Sequence, residues 1–201
     1  PDPRSRVGWT PAQCAIALTN TPEVVRLLLD KGASMRLVVP PGSTLLHLAC
    51  QYGRRDVVTL LLDRDSSMIH LPDARGRTPL MRAARYGNAD EVSLLLRRGA
   101  RVADRDKKGR TPLHGAAVAG SVETVRSLLA AGASDTVRAA DGCLGSDYAR
   151  TLSIATMLRA SASRSVRIST EQPTIHGVPS SPLQSASSPS SPSSPSSSSS
   201  A

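Results

Sequence analysis

Four short aliphatic blocks recur along the chain: Val24 to Leu29, Val57 to Leu62, Val92 to Leu96 and Val125 to Leu129. Each has the apolar face of a helix that must pack against a neighbour, and so predicts the longer helix of a repeated pair. Ahead of each block stands a Thr, at positions 10, 44, 78 and 111, a spacing of 34, 34 and 33. In Thr78-Pro79 and Thr111-Pro112 the hydroxyl caps free backbone N–H groups, and Pro takes the first helical position, where its missing donor is not needed. This predicts a short first helix in each unit. Small residues, Ala83-Ala84 and Ala116-Ala117, let that helix pack closely, and Gly87 or Gly120 permits the turn into the second helix. Gly99 and Gly132 then follow the last apolar turn, where a left-handed cap is easiest for a residue without a Cβ.

The copies are similar in sequence as well as in pattern. Gly109-Arg110-Thr111-Pro112-Leu113-His114-Gly115-Ala116-Ala117 matches Gly76-Arg77-Thr78-Pro79-Leu80-Met81-Arg82-Ala83-Ala84. A looser copy runs from Gly42 to Cys50, and an earlier one begins at Gly8-Trp9-Thr10-Pro11. This resembles the ankyrin repeat, marked by T-P-L-H-x-A at a period of about 33. The resemblance implies an all-α solenoid of helix-turn-helix units with hairpin fingers. Repeats are expected at about 5–38, 39–72, 73–105 and 106–138, with a degenerate cap at 139–159. Leu80 and Leu113 are expected in the core.

Departures from the pattern carry their own expectations. Asp65 replaces the Gly that ends the second helix, which predicts a strained left-handed cap there. Leu45 stands where Pro is expected and Met81 where His is expected, and the first copy lacks the mid-repeat Gly. A fifth copy decays: Asp147-Tyr148-Ala149 resembles the D-Y-A of some ankyrin repeats, yet Leu144-Gly145 replaces Thr-Pro. Ser146 to Arg159 therefore reads as a truncated cap, since a terminal repeat has one face in water.

Composition changes abruptly after this. Residues 160–201 are dominated by Ser and Pro, with nothing to bury, and predict a disordered tail. The repeats need no rings to build their core: aromatics make up 2% of the chain and Phe is absent. The chain starts without Met and within a repeat, which predicts a piece of a longer protein.

The net charge of +9 sits almost wholly in the repeats, where 23 basic face 15 acidic residues up to Arg159. Between Arg75 and Arg110 there are 11 basic and 4 acidic residues. The family resemblance implies that fingers and first helices line a concave groove. Carried over copy by copy, it contains Val7 and Trp9; Pro41, Ser43, Gln51 and Tyr52; Ala74, Arg75, Arg77, Arg85 and Tyr86; and Arg105, Lys107, Lys108, Arg110, Val118 and Ala119. Arg97, Arg98 and Arg101 follow the second helix and point elsewhere.

The expected function is recognition of a protein partner, an acidic segment held by this basic strip, with Trp9, Tyr52 and Tyr86 as anchors. The alternative is non-specific nucleic-acid binding, which phosphate attraction supports but which lacks a basic helix, a known motif or a broad stacking platform. The module is expected to act as a monomer, with no cofactor and no metal.

Enzymatic chemistry finds little support. His47 and His114 belong to the T-P-L-H pattern, where imidazole bonds within the turn, and Ser43 near His47 has no carboxylate to complete a triad. No phosphate-binding glycine loop is present. Cys14, Cys50 and Cys143 lie far apart without C-x-x-C spacing, which predicts reduced thiols and an intracellular setting, cytoplasmic or nuclear. No run of apolar residues is long enough to span a bilayer.

Overall fold

A computed structural model describes residues 9–19, 21–36 and 42–170, with side chains as far as Ser163. Among the described residues the structure is helical, without strands. The helices fall into pairs: α1 (Pro11–Leu18) with α2 (Pro22–Asp30), α3 (Leu45–Tyr52) with α4 (Arg55–Arg64), α5 (Pro79–Tyr86) with α6 (Ala89–Arg97), and α7 (Pro112–Ala119) with α8 (Val122–Ala130). First helices pack on first helices and second on second, so each pair packs against its neighbours along the stack.

The first helices begin as the Thr-Pro signals require. Thr78 accepts from the Met81 N–H at 3.4 Å, and Pro79 and Pro112 occupy the first helical turn. In the first copy Gln13 completes a capping box, its side-chain oxygen accepting from the Thr10 N–H at 2.8 Å. Leu45, in the place of Pro, keeps an N–H and uses it: it donates to the Met35 carbonyl at 3.3 Å.

In the second and third copies one residue ties the pair to the one before. Asn88 donates to the carbonyls of Cys50 and Gln51 at the end of α3, at 2.7 and 3.1 Å. Arg54, at the same register, donates to Ile16 and Ala17 at 3.1 and 3.3 Å. Arg54 thereby satisfies carbonyls at the end of α1, where the first copy has no mid-repeat Gly.

The ends of the second helices contain one correction. Gly99 and Gly132 take φ of 89° and 87°, left-handed as expected. Asp65 does not: its φ is −148°, an extended conformation without strain. Its carboxylate instead caps a 3-10 turn, Ser66–His70, by accepting from the Ser67 N–H at 3.1 Å, and it pairs with Arg36 at 2.7 Å. The connection from the second to the third copy, through Ile69-His70-Leu71-Pro72, is one residue longer than the next and contains this turn, ahead of which Asp65 stays extended.

The core is aliphatic and continuous through the stack. Leu80 and Leu113 are 0% and 1% exposed, in keeping with the sequence. The cap consists of a 3-10 turn, Gly145–Tyr148, in the place of a first helix, followed by α9 (Leu152–Thr170). Ile154 and Leu158 of α9 are fully buried. Here too the expectation shifts: α9 continues past the Arg159 boundary to Thr170, where the compact unit ends. No Gly or Pro occurs between Leu152 and Thr170, so the anchored first turns propagate at one hydrogen bond per residue. The Ser/Pro tail beyond Thr170 lies outside the described residues.

Candidate recognition surface

Three finger turns share one backbone design. In the first, the Asp73 N–H donates to the Arg77 carbonyl and the Gly76 N–H to the Asp73 carbonyl, both at 2.8 Å. Asp106 to Arg110 and Ala139 to Cys143 repeat this pattern, with distances of 2.8 to 3.0 Å. Neighbouring fingers are joined through the backbone: the Lys107 N–H donates to the Arg75 carbonyl at 3.0 Å and the Ala140 N–H to Lys108 at 2.8 Å.

The two Asp residues organise their turns and neutralise part of the basic strip. Asp73 accepts from the N–H groups of Arg75 and Arg77 at 2.8 and 2.9 Å, and its other oxygen pairs with the Arg77 guanidinium at 2.8 Å. Asp106 holds Lys108 and Arg110 in the same way, with the ion pair at 2.7 Å. Burial raises the pKa of both carboxyls, but hydrogen bonds from Arg77 and Arg110 outweigh it and hold both below the usual carboxylate range.

Arg82, absent from the sequence-derived groove, is the most engaged cation. It is buried, and it donates to Asp73 at 3.2 Å, to the Gln51 side chain at 2.6 Å and to the Ser43 hydroxyl at 2.6 Å. Ser43 and Gln51, expected to face a partner, are thus occupied within the stack.

The conserved geometry of the turn also engages the two imidazoles. His47 Nδ1 accepts from the Thr44 N–H at 3.3 Å, and Nε2 donates to the Arg77 carbonyl at 2.9 Å. Burial lowers its pKa to about 4, against the opposing effect of that carbonyl. His114 repeats the bond at Nδ1, 3.2 Å from the Thr111 N–H. Its Nε2 faces the Cys143 carbonyl without reaching hydrogen-bond geometry. Among the described residues neither ring is hydrogen-bonded to a carboxylate.

The cations that remain are Arg75, Arg85, Lys107 and Lys108. All four are exposed, and among the described residues none pairs with a carboxylate. Arg105 donates to the Arg138 carbonyl at 3.5 Å. Arg98 points away, as expected, to Asp63 at 2.7 Å.

Arg77, Arg85 and Arg110 come together around one pocket of about 140 Å³, with Met81, Val118 and Tyr148 on its walls and the Arg110-paired Asp106 beside them. Tyr148 was not foreseen there. Its ring stands edge-on to His114, with centroids 5.7 Å apart, and its hydroxyl donates to Asp141, so the ring is held in place. Among the expected anchors, Tyr86 is 51% exposed, whereas Trp9 and Tyr52 pack partly against the core and do not line this pocket. Val7 and Pro41 lie outside the described residues. Among the described residues no cluster of metal-binding side chains occurs, and no helix is long and apolar enough to cross a membrane.

Comparison with known proteins agrees with this architecture. The family described as ankyrin repeats in three copies matches residues 1–73 and 67–139, and the chain belongs to the ankyrin-repeat family, which is a family of protein-interaction modules. It is similar to Ankyrin repeat domain-containing protein 63 of Homo sapiens, 37% identical over 83 residues, which is 40% of this chain and 22% of that protein. The Ankyrin repeat-containing protein C6C3.08 of Schizosaccharomyces pombe is 35% identical over 78 residues, 38% of this chain and 33% of its own length. The chain thus matches a fifth to a third of the length of these relatives.

Proposed function

We propose that the face formed by the fingers and first helices of the third and fourth repeats binds an acidic segment of a protein partner and performs no catalysis. The observation that carries this reading is the set of exposed cations without internal carboxylates, Arg75, Arg85, Lys107 and Lys108, beside a partly apolar pocket. Exposed charge steers an oppositely charged segment to the surface, and the pocket supplies contact area that a bare charged face lacks. Asp73 and Asp106 each take up one edge of Arg77 and Arg110, so in this reading most of the free charge comes from the other four cations.

The test is reversal of Arg85, Lys107 and Lys108 to Glu, which leaves the finger turns intact. The triple variant should melt as the parent does and lose binding to acidic peptides, measured by fluorescence anisotropy. Unchanged binding would overturn the reading, as would retention of single-stranded or duplex oligonucleotides in preference to every acidic peptide.

A further inference from the structure

The repeat register shows why the pocket exists. Arg82 in the third copy corresponds to Gly115 in the fourth, both four positions after the capping Thr. At the boundary of the second and third copies, the Arg82 side chain fills the space between them and bonds Ser43, Gln51 and Asp73. At the next boundary Gly115 has no side chain, and the space stays open as the pocket. A Cβ on Gly115 would lie 3.3 Å from the Arg85 backbone nitrogen, so α7 sits close against α5 there and forms a floor.

Two of the three partners of Arg82 change character between the boundaries. Ser43 and Gln51, which accept from Arg82, correspond one copy later to Arg77 and Arg85, whereas Asp73 corresponds to Asp106, a carboxylate that also lines the pocket and is paired with Arg110 at 2.7 Å. Where the first site offers three acceptors to an internal guanidinium, the second sets Arg77, Arg85 and Arg110 against one carboxylate that Arg110 already holds. Arg85 has no carboxylate partner among the described residues, and only one side of Arg77 is taken up by Asp73. The volume, about 140 Å³, is close to the ~150 Å³ of cavities that admit one benzene-sized group.

We propose that this pocket receives one glutamate side chain of the bound segment, its carboxylate on Arg85 and the free edge of Arg77, its methylenes against Met81, Val118 and Tyr148. The site is an inverted counterpart of the Arg82 site, with the missing internal side chain supplied in trans and with opposite charge. This rests on the acidic-partner reading and adds to it a requirement for one side chain of a given length. A charge-assisted hydrogen bond in a partly desolvated pocket discriminates strongly against a group that cannot reach it.

The experiment uses labelled heptapeptides with the whole chain. One has Glu at the centre of six Asp residues, a second has Asp throughout and so the same side-chain charge, and a third has Glu at the centre of six Ser residues. The Glu-centred acidic peptide should bind about tenfold tighter than the all-Asp peptide, and it should shift the methyl resonances of Met81 and Val118. Arg85→Gln, an exposed change that spares the fold, should remove the difference between these two peptides. Equal affinity for both acidic peptides overturns the pocket assignment while the acidic-partner reading stands. Equally tight binding of the Ser-flanked peptide, or no binding of any of the three, overturns that reading and the inference with it.

Discussion

Arg82 donates to the Ser43 hydroxyl at 2.6 Å across the boundary between the second and third repeats, while the same guanidinium rests on Asp73 at 3.2 Å. A side chain that the sequence places within a helical repeat therefore fastens two repeats and one finger turn together. Asp73→Asn should leave this buried guanidinium without its carboxylate and lower stability by about 3 kcal/mol in urea unfolding. Asp106→Asn should be milder, because among the described residues Arg110 is its one cationic partner and the Arg110 side chain is 30% exposed. Equal losses at the two sites would show that Arg82 adds nothing.

His47 gives the fold a pH dependence of known sign. Its pKa in the folded chain, about 4, lies below the ordinary imidazole value of about 6.5, so the unfolded chain takes up the proton first. Stability should fall as pH drops from about 6.5 towards 4, by at most about 3 kcal/mol, and this contribution is fully present above that window. His47→Gln should flatten the urea midpoint across this range. The precedent is Gln13, which closes the same box on Thr10.

Asp65→Gly separates the extended cap from a left-handed one. Glycine would remove the acceptor for the Ser67 N–H and the partner of Arg36. The thermal midpoint should fall; a rise would mean that Asp65 is strained.

Core truncation tests the register of the repeats. Leu80→Ala and Leu113→Ala each remove a side chain with essentially no exposure, at the contact between first helices. Each should lower unfolding free energy by ~2–5 kcal/mol. An effect well under that range at either site would mean that the helix faces are misassigned.

The repeating Thr-Pro, Ala-Ala and Gly signals sufficed to place the helix pairs, the glycine caps at Gly99 and Gly132 and the buried Leu80 and Leu113, but not the extended Asp65. These features depend on residues close in sequence, since a cap or a turn is satisfied within a few positions. The strip from Arg75 to Arg110 was legible as charge, but not which of its cations are available. Arg77 and Arg110 are held by the carboxylates of Asp73 and Asp106 inside their own finger turns, and Arg82 is drawn inward by Ser43 and Gln51 from the preceding copy. Tyr148 joins the pocket only because the cap folds back against His114. By itself the sequence determined the repeating unit and the sign of the surface. Tertiary structure decided which arginines remain unpaired and where space opens, because both depend on which side chain the neighbouring repeat brings to the same register.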